Sequence, residues 1–266
     1  MDNEYWLKQT PDKPIFPDLV WSRPEHKTTA GKLLIIGGNA HGFAAPAEAY
    51  QEAIQAGVGS VRVLLPQAIR SVAGKLLETV DYAPNTPSGS FSKAALTDFM
   101  EHSAWADGVI LAGDLGRNSE TAIVIEKFLN DYSGLVVVTK DAADYAINLA
   151  ESILKRPNTL IVMTMAQLQK LFKSAKFKDP VTFSMDLVRL VDLLHETTDK
   201  YPANIMVKHL DHLIVSGQGF VSTTSHNIDN EDFWRVKSAT QASVWWLQNP
   251  SKAFEAITTS LVFEQE

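Results

Sequence analysis

From Gly31 onward the chain alternates short apolar runs with longer amphipathic stretches. Leu33–Ile36, Ser60–Leu64, Gly108–Leu111, Leu135–Val138 and Leu160–Met163 are runs of about five residues bounded by glycine or polar residues. Continuous apolar runs suit strands covered on both faces, and the amphipathic stretches between them predict crossover helices near 44–56, 67–78, 118–130, 141–153 and 165–173. A longer helix is predicted over Phe183–Thr197, where Leu187, Leu190, Val191 and Leu194 form one stripe. The pattern then shortens. Ala203–Val207, His212–Val215 and Phe220–Ser222 read as strands separated by turns, followed by helices near 234–247 and 251–262. The fold class that follows is α/β, with a mainly parallel central sheet, helices on both faces and a short antiparallel edge.

Residues 1–30 carry Pro11, Pro14, Pro17 and Pro24 and no sustained period, which predicts an extended N-terminal arm ahead of a single domain over 31–266. Tyr82–Phe91, with Pro84, Pro87 and Gly89, is the best candidate for a mobile surface loop or a plain connector. No repeat, low-complexity segment or interdomain linker interrupts the chain.

Composition narrows the partners. The net charge of −7 comes without a basic cluster, so neither nucleic acid nor an anionic membrane is expected to bind. No apolar run approaches a membrane span, and the acidic start Met1-Asp2-Asn3-Glu4 lacks a signal peptide's basic region, so a cytoplasmic location is expected. There are no cysteines, and the seven histidines are dispersed, so no metal site is expected.

Candidate chemistry gathers at strand ends. Gly37-Gly38-Asn39-Ala40-His41-Gly42 follows the first strand, where glycines let backbone approach a ligand and a helix N-terminus attracts anions; the same glycines also suit a tight turn. The spacing is not that of a dinucleotide-binding Rossmann loop, and the next strand ends in Leu64-Leu65-Pro66 rather than in a ribose-binding acid. Asp114, Gly116 and Arg117 follow the third strand; Asp114 is either a solvated loop acid or part of a site. Asp141 is either a helix cap or a site residue, and Thr164 and Gln167 can hydrogen-bond but not exchange protons near neutral pH. Read as one strand, Lys208 to His212 places His209 and Asp211 on one face and His212 on the other, which makes the histidines poor metal partners.

These stretches resemble the NAD(P)H-hydrate dehydratases, a branch of the ribokinase-like kinases. The likeness runs from Arg23-Pro24-Glu25-His26-Lys27 through Leu33-Leu34-Ile35-Ile36-Gly37-Gly38-Asn39, Ala45-Pro46 and Ala56-Gly57-Val58-Gly59, and continues at Ala106–Arg117, Thr139–Asp144 and Val207–His212. It implies a ribokinase-like fold, substrate contacts at Asn39, Ala45, Asp114, Gly116 and Thr164, and nucleotide contacts at Lys208, His209, Leu210, Asp211, His212 and Ala242. The ligands it implies are ATP or ADP and hydrated NADH or NADPH, whose hydroxyl an intact member phosphorylates before elimination restores the dinucleotide. Self-association is also implied, and Phe233, Trp234, Trp245, Trp246 and Phe254 supply aromatic density for an interface.

The chain departs from the family where the chemistry is done. The family's G-S-G-D aligns with Thr240-Gln241-Ala242-Ser243, so Ser243 stands at the position of the catalytic aspartate, and Asp114, Thr164 and His209 replace a glycine, a histidine and a glycine. Losing a general base costs about 10²–10⁴-fold. The expectation is therefore a divergent homologue that binds a nucleotide or dinucleotide with little or no activity. The alternatives are an active dehydratase or small-molecule kinase using Asp114, Asp141 or Asp229 as a substitute acid, and an assembly or regulatory subunit whose pocket is packed shut.

Overall fold

The computed structural model describes residues 4–74, 77–225 and 234–262. In chain order the elements are β1 (Trp6–Gln9), α1 (Pro17–Trp21), β2 (Lys32–Gly37), α2 (Ala44–Gln55), β3 (Ser60–Pro66), α3 (Arg70–Ala73), β4 (Val80–Ala83), α4 (Ala95–Trp105), β5 (Gly108–Gly113), α5 (Ser119–Asp131) and β6 (Leu135–Val138). They continue with α6 (Lys140–Ile147), α7 (Ala150–Lys155), β7 (Thr159–Met163), α8 (Met165–Ser174), α9 (Leu187–Lys200), β8 (Asn204–His209), β9 (His212–Gly217), β10 (Phe220–Ser225), α10 (Trp234–Gln248) and α11 (Ala253–Ser260).

One ten-stranded sheet runs in the order β1-β10-β9-β8-β7-β6-β5-β2-β3-β4. Pairing is parallel from β4 across to β8 and antiparallel at β8–β9 and β9–β10, so the antiparallel strands expected from the sequence are present, with one parallel strand, β1, outside them. The apolar strands divide their side chains between two cores. Leu34 and Ile36 of β2 join one cluster with α4 to α9, while Leu33 and Ile35 join the other with α1, α2, α3, α10 and α11. That alternation explains why β2 is apolar at every interior position, and it makes three αβα layers.

The first thirty residues differ from the expected arm. Trp6–Gln9 pairs in parallel with β10 and forms the edge strand, and Leu19 of α1 is buried. Gln9 secures this edge, its Nε2 donating to Thr224 Oγ1 at 2.9 Å and to the Thr258 carbonyl at 2.7 Å. The stretch read as a surface loop is tied down instead. Tyr82 and Ala83 belong to β4, Phe91 is fully buried, and Thr86 N donates to Ser90 O at 2.8 Å.

The aromatic residues expected at an interface are core. Trp234, Trp245, Trp246 and Phe254 all lie in the cluster beneath α10 and α11, so they offer no surface for self-association, and Phe233 lies outside the described residues. No helix among the described residues is long and apolar enough to cross a membrane.

Candidate functional site

The C-terminal ends of β2, β5 and β6 open into a cleft of about 920 Å³. A parallel sheet presents these ends on one edge, where α/β proteins bind ligands. Gly38 N donates to Gly113 O at 3.0 Å and ties the first two strand ends together. Gly113 has φ +105°, and a Cβ there would lie 2.7 Å from Lys140 Cβ, so the third strand's end closes against it only because it is glycine.

Asn39 organises the first loop. Its Oδ1 accepts from His41 N at 2.7 Å, and its Nδ2 donates to the Asp114 carbonyl at 2.6 Å. Asp114 is not a solvated loop acid. Held at φ +57°, it accepts from Ala45 N at 2.7 Å through Oδ2 and meets Lys140 Nζ at 2.8 Å through Oδ1. The carboxylate thus takes an amide at the N-terminus of α2, where an anion is favoured, and carries its own counter-ion. Ala45 contributes that backbone amide while its side chain is buried.

Asp141 lies in the first turn of α6, whose N-cap is Thr139. Its Oδ2 accepts from Leu115 N at 2.9 Å and Gly116 N at 3.2 Å, while Oδ1 is buried without a hydrogen-bond partner. Burial pushes the Asp141 carboxyl above the usual range, with the negative charge of Asp114 adding to it; the amides of Leu115, Gly116 and Asp141 itself pull the other way. One turn further along α6, Tyr145 donates its hydroxyl to the Gly116 carbonyl and accepts from Asn118 N.

Thr164 and Gln167 sit at the next strand end, but they form a capping box on α8 and do not line the cleft. Gln167 Nε2 reaches back to Lys140 O at 2.7 Å and to Asp144 Oδ2 at 3.1 Å, so it orients α6. The four strand-end motifs therefore meet on one edge, as the parallel sheet requires, with Thr164 in a structural role rather than at the ligand surface.

Ser243 lies away from the cleft, in the interior of α10. Thr240, Ala242 and Ser243 are fully buried inside α10, which already begins at Trp234. Thr240 Oγ1 donates to Val236 O and Ser243 Oγ to Ala239 O, so neither hydroxyl faces the cleft. A helix interior has no unpaired amides to offer a phosphate. The start of α10 does approach the cleft: Thr139 Oγ1 donates to Arg235 O at 3.4 Å, and burial pushes the Arg235 guanidinium down while the charges of Asp144 and Asp141 pull it up.

The stretch from Lys208 to His212 is a hairpin and not one strand. Leu210 and Asp211 make the turn, so His209 and His212 face each other across β8 and β9 and share one side of the sheet. His209 is buried with Nε2 against Met185 O at 2.9 Å, whereas Leu210 is exposed. Lys208 is half-buried, and none of the five lines the cleft. Asp229 lies outside the described residues.

Several cleft residues lie outside those motifs: Asn118, Tyr145, Asn148 and Lys170. Positions 141, 144, 145 and 148 recur at three- and four-residue spacing, which is a polar stripe on one helix face and was the available signal. Chemically the floor is acidic, with Asp114, Asp141 and Asp144, while Arg117 and Lys170 are cations in the lining. Carboxylates can accept hydrogen bonds from hydroxyl or carboxamide groups, and the cations can hold phosphate.

The fold is similar to that of ribokinase-like proteins. Over 98% of its length it superposes on a ribokinase-like superfamily protein from Enterococcus faecalis with a TM-score of 0.75 at 13% identity, covering 87% of that chain. It also matches the ADP/ATP-dependent NAD(P)H-hydrate dehydratase from Bacillus subtilis, crystallised with ATP and magnesium, with a TM-score of 0.64 at 11% identity over 93% of this chain and 86% of that one. In sequence, 121 residues, 44% of the chain, are 31% identical to the bifunctional NAD(P)H-hydrate repair enzyme Nnr of Methanocaldococcus jannaschii. That match spans 23% of the archaeal enzyme's length. No family model matches.

Proposed function

We propose that the protein is a divergent relative of the NAD(P)H-hydrate dehydratases that binds a nicotinamide dinucleotide, or its hydrated form, in the cleft and has little or no dehydratase activity. The observation that carries this reading is the contrast between an open cleft of about 920 Å³ and a Ser243 sealed in the interior of α10. The volume supports a ligand the size of a nucleotide. A buried hydroxyl donating to Ala239 O has no base beside it and cannot take a proton from a ligand hydroxyl.

The charge layout supports a particular orientation. The amides of Ala45, Leu115 and Gly116 are already taken by Asp114 and Asp141, which leaves Arg117 and Lys170 as the charged donors for a phosphate. The uncharged carboxamide and ribose hydroxyls of a reduced nicotinamide nucleotide then meet the acidic floor. ATP or ADP is the second ligand that the Bacillus neighbour suggests, with Lys208 and the start of α10 as the place to look. We treat self-association and a cytoplasmic location as parts of the same proposal.

The reading in which the protein is an active enzyme using a substitute acid is favoured by one observation: Asp141 lies in the cleft with a raised pKa, as suits a general base. The open cleft speaks against a pocket packed shut. The deciding experiment is to incubate the protein with hydrated NADPH and ATP or ADP, and to follow dihydronicotinamide absorbance alongside calorimetric binding of NADPH. Binding without recovery of absorbance is expected. Robust recovery, lost in Asp141→Asn, establishes the active reading instead.

A further inference from the structure

The cleft continues past Lys170. The same lysine lines a second groove of about 560 Å³ between α8 and residues 177–182, together with Lys173, Phe177 and Val181. The groove is built from side chains with defined neighbours. Gln169 Nε2 donates to Val181 O at 2.9 Å and pins the far wall to α8. Phe177, half-buried, is set between Phe172 at 4.5 Å and Tyr201 at 5.9 Å between ring centroids.

Its electrostatics differ from those of the cleft floor. Lys170 and Lys173 line it, and Lys176 and Lys178 follow on the adjoining surface. The acid in its lining, Asp179, is engaged by Arg189 at 3.1 Å. Lys170 is held by Asp144 at 3.4 Å, but both side chains are largely open to solvent, and an exposed pair of this kind is readily exchanged for a ligand anion.

A dinucleotide consists of two nucleosides joined by an anionic pyrophosphate, so its site needs two cavities with a cation where they meet. Here two cavities share one lysine. Resting on the assignment of a dinucleotide to the cleft, we propose that the groove takes the second nucleoside, with Lys170 on the bridging pyrophosphate, Phe177 beside the base and Lys173 on a phosphate carried by that nucleoside. The arrangement favours a dinucleotide with an additional phosphate, NADPH over NADH.

The test compares NADPH, NADH, reduced nicotinamide mononucleotide and 2′-AMP, which carries the additional phosphate of NADPH, by calorimetry, on the intact protein and on Lys173→Glu. Lys173 is exposed, so the substitution leaves the core untouched. We expect Lys173→Glu to weaken NADPH about tenfold, to weaken 2′-AMP by a similar factor and to leave NADH and the mononucleotide unchanged. Equal affinity of the intact protein for NADPH and the mononucleotide, or NADPH binding indifferent to Lys173→Glu, overturns the proposal. If the mononucleotide fails to bind, the assignment of the cleft fails by itself. 2′-AMP binding weakened by Lys173→Glu then upholds the groove, and absence of 2′-AMP binding overturns it.

Discussion

The two ends of the parallel sheet treat buried charge in opposite ways. At the N-terminal end, Arg156 lies between α7 and β7 and is surrounded by neutral oxygens: Nε donates to Leu129 O, Nη1 to Pro157 O, Asn158 O and Thr159 Oγ1, and Nη2 to Tyr132 O and Gly134 O. Leu129 is in the last turn of α5, where the carbonyls favour a cation. Burial pushes the Arg156 guanidinium down to about 10, yet it stays charged at neutral pH with its donors engaged. At the C-terminal end, Asp114 and Asp141 compete for room, and Asp141 Oδ1 has no partner. Complete satisfaction of Arg156 serves stability. Incomplete satisfaction of Asp141 leaves interaction capacity beside an open cleft, at a cost to the fold.

The severest test puts a carboxylate where the molecule offers no donors at all. Ser243→Asp places a charge in the interior of α10, and we expect a loss of about 3–5 kcal/mol in urea unfolding, with no gain in ATP- or ADP-dependent repair of hydrated NADPH. A stable and active Ser243→Asp protein would place the family's catalytic centre at this position after all. Arg156→Ala comes next. Removing one hub leaves carbonyls from three segments unpaired, for an expected loss of about 3 kcal/mol, and Arg156→Lys recovers only part of it because a single ammonium cannot reproduce the planar fork. A loss under about 1 kcal/mol would show that water replaces the guanidinium and that the two sheet ends are not so different.

The sequence made the middle of the sheet legible and its margins opaque. Leu33–Ile36 and Leu135–Val138 are apolar at every position because both faces are covered, and their strands emerge with little error in their bounds. By contrast β1, with burial mixed along Trp6–Gln9, and the short β4 lack such a run, and the prolines around β1 mask it further. The helix expected over 67–78 is only Arg70–Ala73 after a 3-10 turn, and that over 141–153 breaks into α6 and α7 around Asn148 and Leu149. The loops carrying Asn39, Asp114, Gly116 and Asp141 were legible as a site because they follow strands. Tyr145 and Lys170 were not, since they reach the cleft from helix faces and only tertiary packing brings them there. Trp245 and Trp246 show the converse: bulk alone does not say whether an aromatic faces a partner or the core.

A smaller effect tests whether Lys140 compensates for the acid at the end of β5. Asp114→Asn keeps the acceptor for Ala45 N but removes the charge paired with Lys140. Both side chains are about one-fifth exposed, so we expect a modest loss of about 1 kcal/mol in urea unfolding. It should also lower the Asp141 pKa by removing a neighbouring negative charge, which carbon-detected NMR titration of the carboxyl would reveal. An unchanged Asp141 titration would mean that burial alone raises it.

Asp141→Asn is the one substitution expected to stabilise. The amide oxygen can still accept from Leu115 and Gly116, while the ionised form's desolvation and its repulsion from Asp114 disappear. We expect a gain of about 0.5–1 kcal/mol at neutral pH. The sign with pH follows from linkage. Because the folded carboxyl has a raised pKa, it binds its proton more tightly than the unfolded one, so acidification favours the native protein between the folded and unfolded values. The advantage of Asp141→Asn should therefore be full above the folded pKa, shrink as pH falls through it and level off below the unfolded pKa. Urea unfolding of both proteins across that range measures the difference directly. If the variant is instead less stable at neutral pH, the ionised carboxylate is contributing more through its two amide bonds than it loses by burial, and both ends of the sheet are then built for stability.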